Sequence, residues 1–179
     1  MDISDLVRTR VRTVPNWPEP GVMFRDITTL LSDATTFRTL IDAFVAHYRD
    51  QRIDVLAGID ARGFILGAAV AHAMHLGFVP VRKAGKLPFE TLTEEYSLEY
   101  GKAALQIHSD AIAPGARVLL VDDVIATGGT MLASVRLLER LGAAAILPAA
   151  IIDLPELGGS KALVDKGLRP FTLCAFDGH

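Results

Sequence analysis

The stretch VLLVDDVIATGGT, residues 118–130, decides how the rest of the chain is read. Its first four residues, Val118 to Val121, are apolar without alternation, as in a strand covered on both faces. They run straight into Asp122 and Asp123, and then into a turn of small and hydroxyl residues. Two like charges at the end of a buried strand need a reason. In an open α/β sheet, ligands bind beyond the carboxyl ends of the strands, which is where this pair falls. The residues IATGGT then lead into a helix beginning near Gly129. The loop's backbone N–H groups and the helix N-terminus make a cradle for an anion, and Thr127 and Thr130 add hydroxyls. A phosphate fits such a cradle. Carboxylates do not bind phosphate, but they accept hydrogen bonds from sugar hydroxyls or face a metal ion. One ligand with a phosphate and vicinal hydroxyls satisfies both halves of the motif.

Other motifs fit less well. A P-loop needs a lysine after its glycines, and Met131 follows Thr130 here; the dinucleotide pattern G-x-G-x-x-G is absent. Receiver domains also end a strand on an acidic pair, but near the start of the domain, and too little chain follows Asp123. A solvated acidic strand end followed by a glycine turn stays open on these residues alone.

Working outward, IDVLAGI (53–59), FVPVRKA (78–84), ARVLLVDD (116–123), AAILPAAII (144–152) and FTLCAF (171–176) read as strands. Helical patterns lie between them. Phe37, Leu40, Ile41, Phe44, Val45 and Tyr48 make an apolar stripe after a cap at Ser32 or Asp33. GFILGAAVAHAMHLG (63–77) is apolar nearly all round, predicting a helix buried between the sheet and another surface and stopped at Gly77. GGTMLASVRLLERLG (128–142) gathers Met131, Val135, Leu138 and Leu141 on one side and ends at Gly142. Strand and helix in alternation predict an α/β fold, a five-stranded, mainly parallel sheet flanked by helices. Two regions break the rhythm. VPNWPEPGVMF (14–24) reads as an extended, turning segment outside the sheet. Residues 83–102 are polar and turn-prone, with no lasting strand or helix pattern, as in a functional lid or a disordered segment.

A chain of 179 residues with 50% hydrophobic and 22% charged residues has globular composition and fits one domain. Its net charge of -3 provides no basic field for nucleic acid or an anionic membrane, so a bound anion must be held by local groups. No apolar stretch reaches membrane-spanning length and MDISDLVRTR lacks a signal-like apolar region, so the expectation is a cytoplasmic protein without membrane partners. Cys174 is the one cysteine and reads as a small apolar filler. The five histidines show no metal-ligand spacing.

The stretch 118–130 resembles the ribose-phosphate signature of the phosphoribosyltransferases. The likeness extends over nearly the whole chain, through PGVMFRDIT (20–28), ARGF (61–64), RKAGKLP (82–88), YSLEYG (96–101) and the final GH (178–179). It is strongest to the members that act on adenine. The resemblance implies the type I fold of that family in a single domain, 1–179, with an N-terminal hood at about 1–34 and a flexible lid at about 83–102. It implies transfer of the phosphoribosyl group of phosphoribosyl pyrophosphate to adenine, giving AMP and pyrophosphate. Mg2+ would arrive on the phosphoribosyl pyrophosphate, with no direct protein cage, and the chain would form a homodimer.

The resemblance also assigns roles. Asp122 and Asp123 would hold the ribose hydroxyls, and Ala126, Thr127, Gly128, Gly129 and Thr130 the 5'-phosphate. Asp60, Ala61 and Arg62 fall at the same sheet edge, in a turn that receives pyrophosphate in the family, often through a strained or cis peptide. Turned inward, the Arg62 guanidinium offers a planar set of donors; a solvated loop arginine is the alternative. Arg82, Lys83 and Lys86 form a basic run, usually a solvated face, which the resemblance makes a partner of the leaving group; relatives have a second basic residue where Ala84 stands. Glu99 and Tyr100 would reach the reacting centre from the lid. Glu99 could stabilise positive charge developing on the sugar, or take a proton from the purine. Phe24 would stack on the base, the backbone of Met23 and Arg25 would read its edge, and Leu154 would wall its other face; on its own, Phe24 reads as a core anchor.

Overall fold

The computed structural model describes residues 2–98 and 101–177. Helix α1 (Ile3–Arg10) leads into strands β1 (Arg12–Pro15) and β2 (Met23–Asp26), then helices α2 (Thr28–Leu31) and α3 (Ala34–Tyr48). Next come β3 (Val55–Ile59), α4 (Arg62–Ala73), β4 (Gly77–Lys83), β5 (Thr91–Leu98) and β6 (Gly101–His108). The remainder is β7 (Arg117–Val121), β8 (Val124–Ile125), α5 (Gly129–Arg140), β9 (Ala145–Asp153), a 3-10 turn (Pro155–Leu157), α6 (Gly159–Asp165) and β10 (Phe171–Ala175). Among the described residues no helix is long and apolar enough to cross a membrane.

The five strands expected from apolar runs lie side by side in parallel, in the order β10-β9-β7-β3-β4. Because side chains alternate across a strand, β7 sends Leu119 and Val121 into one core and Val118 and Leu120 into the other. The first core also holds Leu40 and Phe44 of α3 and Leu66 and Val70 of α4. The second is closed by Val135, Leu137 and Leu138 of α5. Both faces are therefore dry, which is why these strands read as continuous apolar runs.

The sheet is larger than five strands. Among the described residues it has eight: β8 adds a short parallel pairing to β9, and β6 and β5 extend the β4 edge antiparallel. The expectation of an irregular stretch over 83–102 is thus corrected, since the β5–β6 hairpin, through strand β5 and the start of β6, occupies its second half. Its polar face misled the reading. Leu92 and Tyr96, on the other face, pack against the α5 core. Glu94 meets Arg136 Nε at 2.5 Å and Arg140 Nη1 at 3.4 Å, and Arg140 Nη1 also donates to the Thr93 carbonyl at 2.6 Å. A charge-rich strand is stable here because a helix supplies its counterions.

Helix ends follow the sequence with one exception. Asp33, not Ser32, caps α3, accepting from the Thr36 N–H at 2.7 Å. Gly142, at φ 83, ends α5 with its N–H on the Glu139 carbonyl and that of Ala143 on Leu138. The stop expected at Gly77 falls instead at His75, which takes φ 58 while the Leu76 N–H reaches back to the Ala71 carbonyl. Gly77 opens β4. Nor is α4 buried all round, for Ile65, Ala68 and His72 are exposed.

The proline-rich segment stands outside the main sheet, as expected, but it is flanked by order. β1 and β2 form their own antiparallel pair, with Thr13 opposite Arg25 and Val14 opposite Phe24. Helix α1, for which the sequence raised no expectation, is capped by Asp2 and buries Val7.

Candidate active site

β3 and β7 are neighbours, but the chain leaves β3 for β4 on one side and β7 for β9 on the other. Their carboxyl ends therefore flank a crevice, the place where open α/β sheets bind ligands. A cavity of about 690 Å³ lies there, a size suited to a nucleotide-like ligand.

From β3, the turn Asp60-Ala61-Arg62 enters the cavity wall; the Asp60–Ala61 peptide is cis. Arg62 opens α4, and its Nε donates to Asp123 Oδ2. Gly63 makes this meeting possible. A Cβ at Gly63 would sit 2.7 Å from the Val121 carbonyl oxygen and 3.1 Å from Asp122 Oδ1, so only glycine lets α4 start so close to the end of β7.

From β7, Asp122 and Asp123 both line the cavity. Asp123 is 4% exposed, and its buried charge is balanced by Arg62. Asp122 Oδ1 accepts the Asp123 N–H at 2.9 Å. Burial first, and then the adjacent Asp123 charge, push the Asp122 carboxyl well above the usual carboxylate range. A site that raises a carboxyl in this way favours hydrogen bonding to hydroxyls or a nearby cation over free solvation.

The loop that follows is pinned from below. Gly128 takes φ 81, and its carbonyl accepts the first α5 bond, from the Leu132 N–H at 2.8 Å. The first-turn amides of α5 therefore have no intrahelical partner and are available to an anion. Ala126 and Thr130 line the cavity, whereas Thr127 is exposed and does not. Beneath the loop, the Gly159 N–H donates to the Ala126 carbonyl at 3.0 Å. Gly128 and Gly159 pack backbone to backbone: a Cβ at Gly128 would lie 2.8 Å from Gly159 Cα, and one at Gly159 would lie 2.6 Å from Gly128 N. Sequence reasoning missed Gly159. The signal was a second Gly-Gly pair one helix, one strand and a turn after the first.

The remaining walls come from outside the parallel strands. Met23, Phe24 and Arg25 of β2 form one, with Leu154 after β9 another. The Arg62 guanidinium lies 5.5 Å from the Phe24 ring centroid, and Trp17 meets Phe24 edge-on at 4.4 Å. Phe24 is thus a wall of the cavity rather than a core anchor. The hairpin contributes Tyr96, Ala103, Ala104 and Leu105. None of these four was assigned a role from sequence, although period-two patterning in β5 would have turned Tyr96 inward beside Leu92.

The basic run divides. Lys83 lines the cavity, whereas Arg82 and Lys86 do not. Arg82 Nε meets Asp60 Oδ2 at 3.2 Å and its Nη1 donates to the Lys86 carbonyl at 3.1 Å. Gly128 and Gly129 shape the loop without contributing to the lining. Glu99 and Tyr100 lie outside the described residues. Among the described residues, no group of three or more His, Cys, Asp or Glu side chains could hold a metal ion.

Residues 28–168 match the family of the phosphoribosyl transferase domain. The chain is 63% identical over 178 residues to an adenine phosphoribosyltransferase of Cupriavidus metallidurans, covering 99% of this chain and 94% of that one. A crystal structure of adenine phosphoribosyltransferase from Rhodothermus marinus superposes with a TM-score of 0.90 at 45% identity, over 97% of this chain and 98% of that one. The Trypanosoma brucei enzyme, solved in complex with AMP, pyrophosphate and ribose-5-phosphate, gives 0.89 at 28% identity, over 97% and 79%.

Proposed function

This chain belongs to the phosphoribosyltransferase family, and from that premise we propose how its cavity moves the 5-phosphoribosyl group of phosphoribosyl pyrophosphate onto adenine, giving AMP and pyrophosphate. One observation carries the reading: an anion cradle, two carboxylates, an arginine and an aromatic wall converge on one cavity at the sheet's switch point. A phosphate, a diol, a diphosphate and a flat base need those four surfaces.

In this reading the loop Ala126–Thr130 grips the 5'-phosphate, and Asp122 and Asp123 accept hydrogen bonds from the ribose hydroxyls. Asp60, Ala61, Arg62 and Lys83 receive the pyrophosphate. Arg82 and Lys86 add positive charge behind them. Adenine lies between Phe24 and Leu154, with the backbone of Met23 and Arg25 at its edge. The bond from ribose C1' to pyrophosphate breaks with its electron pair leaving on oxygen, a bond forms from C1' to a purine nitrogen, and that nitrogen releases its proton. Positive charge develops on the sugar in between, where nearby carboxylates lower its energy. Glu99 and Tyr100 are assigned the role of completing the site from the hairpin side. As pyrophosphate settles, the Arg62–Asp123 pair parts: Arg62 turns to the diphosphate and Asp123 to the diol.

The donor set also bears on metal. Two carboxylates without a third ligand suit a cation that arrives largely coordinated by its substrate, and hard oxygen donors suit Mg2+. Mg2+ held by phosphoribosyl pyrophosphate, beside Asp122 and Asp123, would neutralise the leaving group. We assign residues 1–34 as a hood over the base and 83–102 as a lid that excludes water from the activated sugar, both parts of one domain. The working form is a cytoplasmic homodimer. The exposed Ile65 on α4 (48%) and Phe89 in the β4–β5 connection (74%) support a further apolar contact.

The direct test incubates purified protein with Mg2+, phosphoribosyl pyrophosphate and adenine, with guanine and hypoxanthine as competing bases. AMP must form, and absence of AMP overturns the reading.

A further inference from the structure

Among the described residues the hood's small sheet makes no strand pairing with the main one, so other contacts must set where Phe24 stands. Helix α1 packs on β10 and α3. Beyond this, two arginines close on one ring. The Arg25 guanidinium lies 4.5 Å from the Phe176 ring centroid and that of Arg8 lies 5.3 Å from it. Arg25 Nη1 donates to Thr13 Oγ1 at 2.6 Å, across the β1–β2 pair, and its Nη2 donates to the Asp177 carbonyl at 3.3 Å. Phe176 is anchored on the other side: its N–H donates to the Asp153 carbonyl at 3.0 Å and its ring packs on the core that contains Leu154.

The connection is short. Asp153 precedes Leu154, one wall of the base slot, and Arg25 follows Phe24, the other wall. Phe176 therefore joins the two sides of the slot without lining it. Removing the ring would free Arg25, whose Nε is already buried without a partner, and let the hood swing relative to Leu154.

We infer that Phe176, clasped by Arg8 and Arg25, is a positioning residue for adenine: it sets the width of the slot between Phe24 and Leu154 while leaving the phosphate cradle untouched. This rests on the adenine-transfer reading above. Its failure would be separable, because wild-type AMP formation tests that reading first.

The experiment compares Phe176→Leu, which keeps apolar volume but loses the π face, with Phe176→Tyr, which keeps both. In Phe176→Leu the KM for adenine should rise about tenfold, since small misplacements of a binding surface are felt strongly. The Kd for phosphoribosyl pyrophosphate, measured without adenine, should stay at the wild-type value, and Phe176→Tyr should behave as wild type. Partial unfolding would instead lower kcat per mole of protein and leave KM alone. Arg8→Gln, an exposed change that spares the fold, should raise the KM for adenine about two- to fivefold. An unchanged KM for adenine in both Phe176→Leu and Arg8→Gln overturns the inference, as does a loss of phosphoribosyl pyrophosphate affinity equal to the loss for adenine.

Discussion

Replacing Gly159 with alanine tests whether the phosphate loop is held from below. The new Cβ would stand 2.6 Å from Gly128 N and 2.9 Å from Gly128 Cα, both backbone atoms that no rotamer change can move. The Ala126 carbonyl oxygen would stand closer still, and ordinary contact begins near 3.4 Å, so loop and α6 must separate by about 1 Å. That movement strains the bond from the Gly159 N–H to the Ala126 carbonyl, now 3.0 Å. Overpacking of this kind costs about 1–3 kcal/mol. A shift approaching 1 Å in a cradle of amides is also expected to weaken phosphate binding by about 10- to 100-fold. Calorimetric titration with phosphoribosyl pyrophosphate, beside urea denaturation, reads both effects. The control is Gly158→Ala. Gly158 sits at φ 80 with nothing within 4 Å of its would-be Cβ, so alanine there costs about 1–2 kcal/mol of backbone strain and pushes on nothing. The two variants should lose similar stability, and only Gly159→Ala should lose affinity. Wild-type affinity in Gly159→Ala would show that the loop does not depend on this contact.

Further perturbations separate the site's components. Because the folded protein raises the Asp122 pKa above its ordinary 3.8, ionising Asp122 destabilises the fold; stability is fully present below that pH and declines above it. Asp122→Asn should therefore match wild type in Tm near pH 3.5 and exceed it at pH 7, while binding phosphoribosyl pyrophosphate at least tenfold more weakly; a Tm difference independent of pH refutes this. Arg62→Ala leaves the buried Asp123 without its cation, which should cost about 1–3 kcal/mol in denaturant titration and raise the KM for phosphoribosyl pyrophosphate. Glu94→Ala removes a part-exposed link between hairpin and α5, so about 0.5–1 kcal/mol should be lost, read as faster amide exchange confined to β5 and β6. If the proposed homodimer uses α4, Ile65→Glu should sediment as a monomer where wild type sediments as a dimer, and unchanged mass would remove α4 from the interface.

The parallel strands were legible because each is dry on both faces and reads as an unbroken apolar run. Asp122, Asp123 and the following glycines were legible because charge and turn chemistry at a strand end have few structural uses. The β5–β6 hairpin was not. It packs Leu92 and Tyr96 on the α5 core and pairs Glu94 with Arg136 and Arg140, some forty residues later in the chain, and no local pattern announces that partnership. Arg82 was legible only in part: its charge was plain, but its engagement with Asp60 depends on how β4 lies beside the end of β3. Gly63 and Gly159 went unassigned because close backbone approach leaves no trace beyond the glycine itself.

The two sheets divide the labour of recognition. In the proposed reading, the groups that grip charge are rooted in the large sheet and its helices, whereas one side of the base slot hangs on a four-residue pairing that shares no strand with it. Substitutions around Trp17 and Phe24 can consequently retune which heterocycle is accepted while the costly parallel architecture is inherited intact. A laboratory search for altered base preference belongs in that small hairpin.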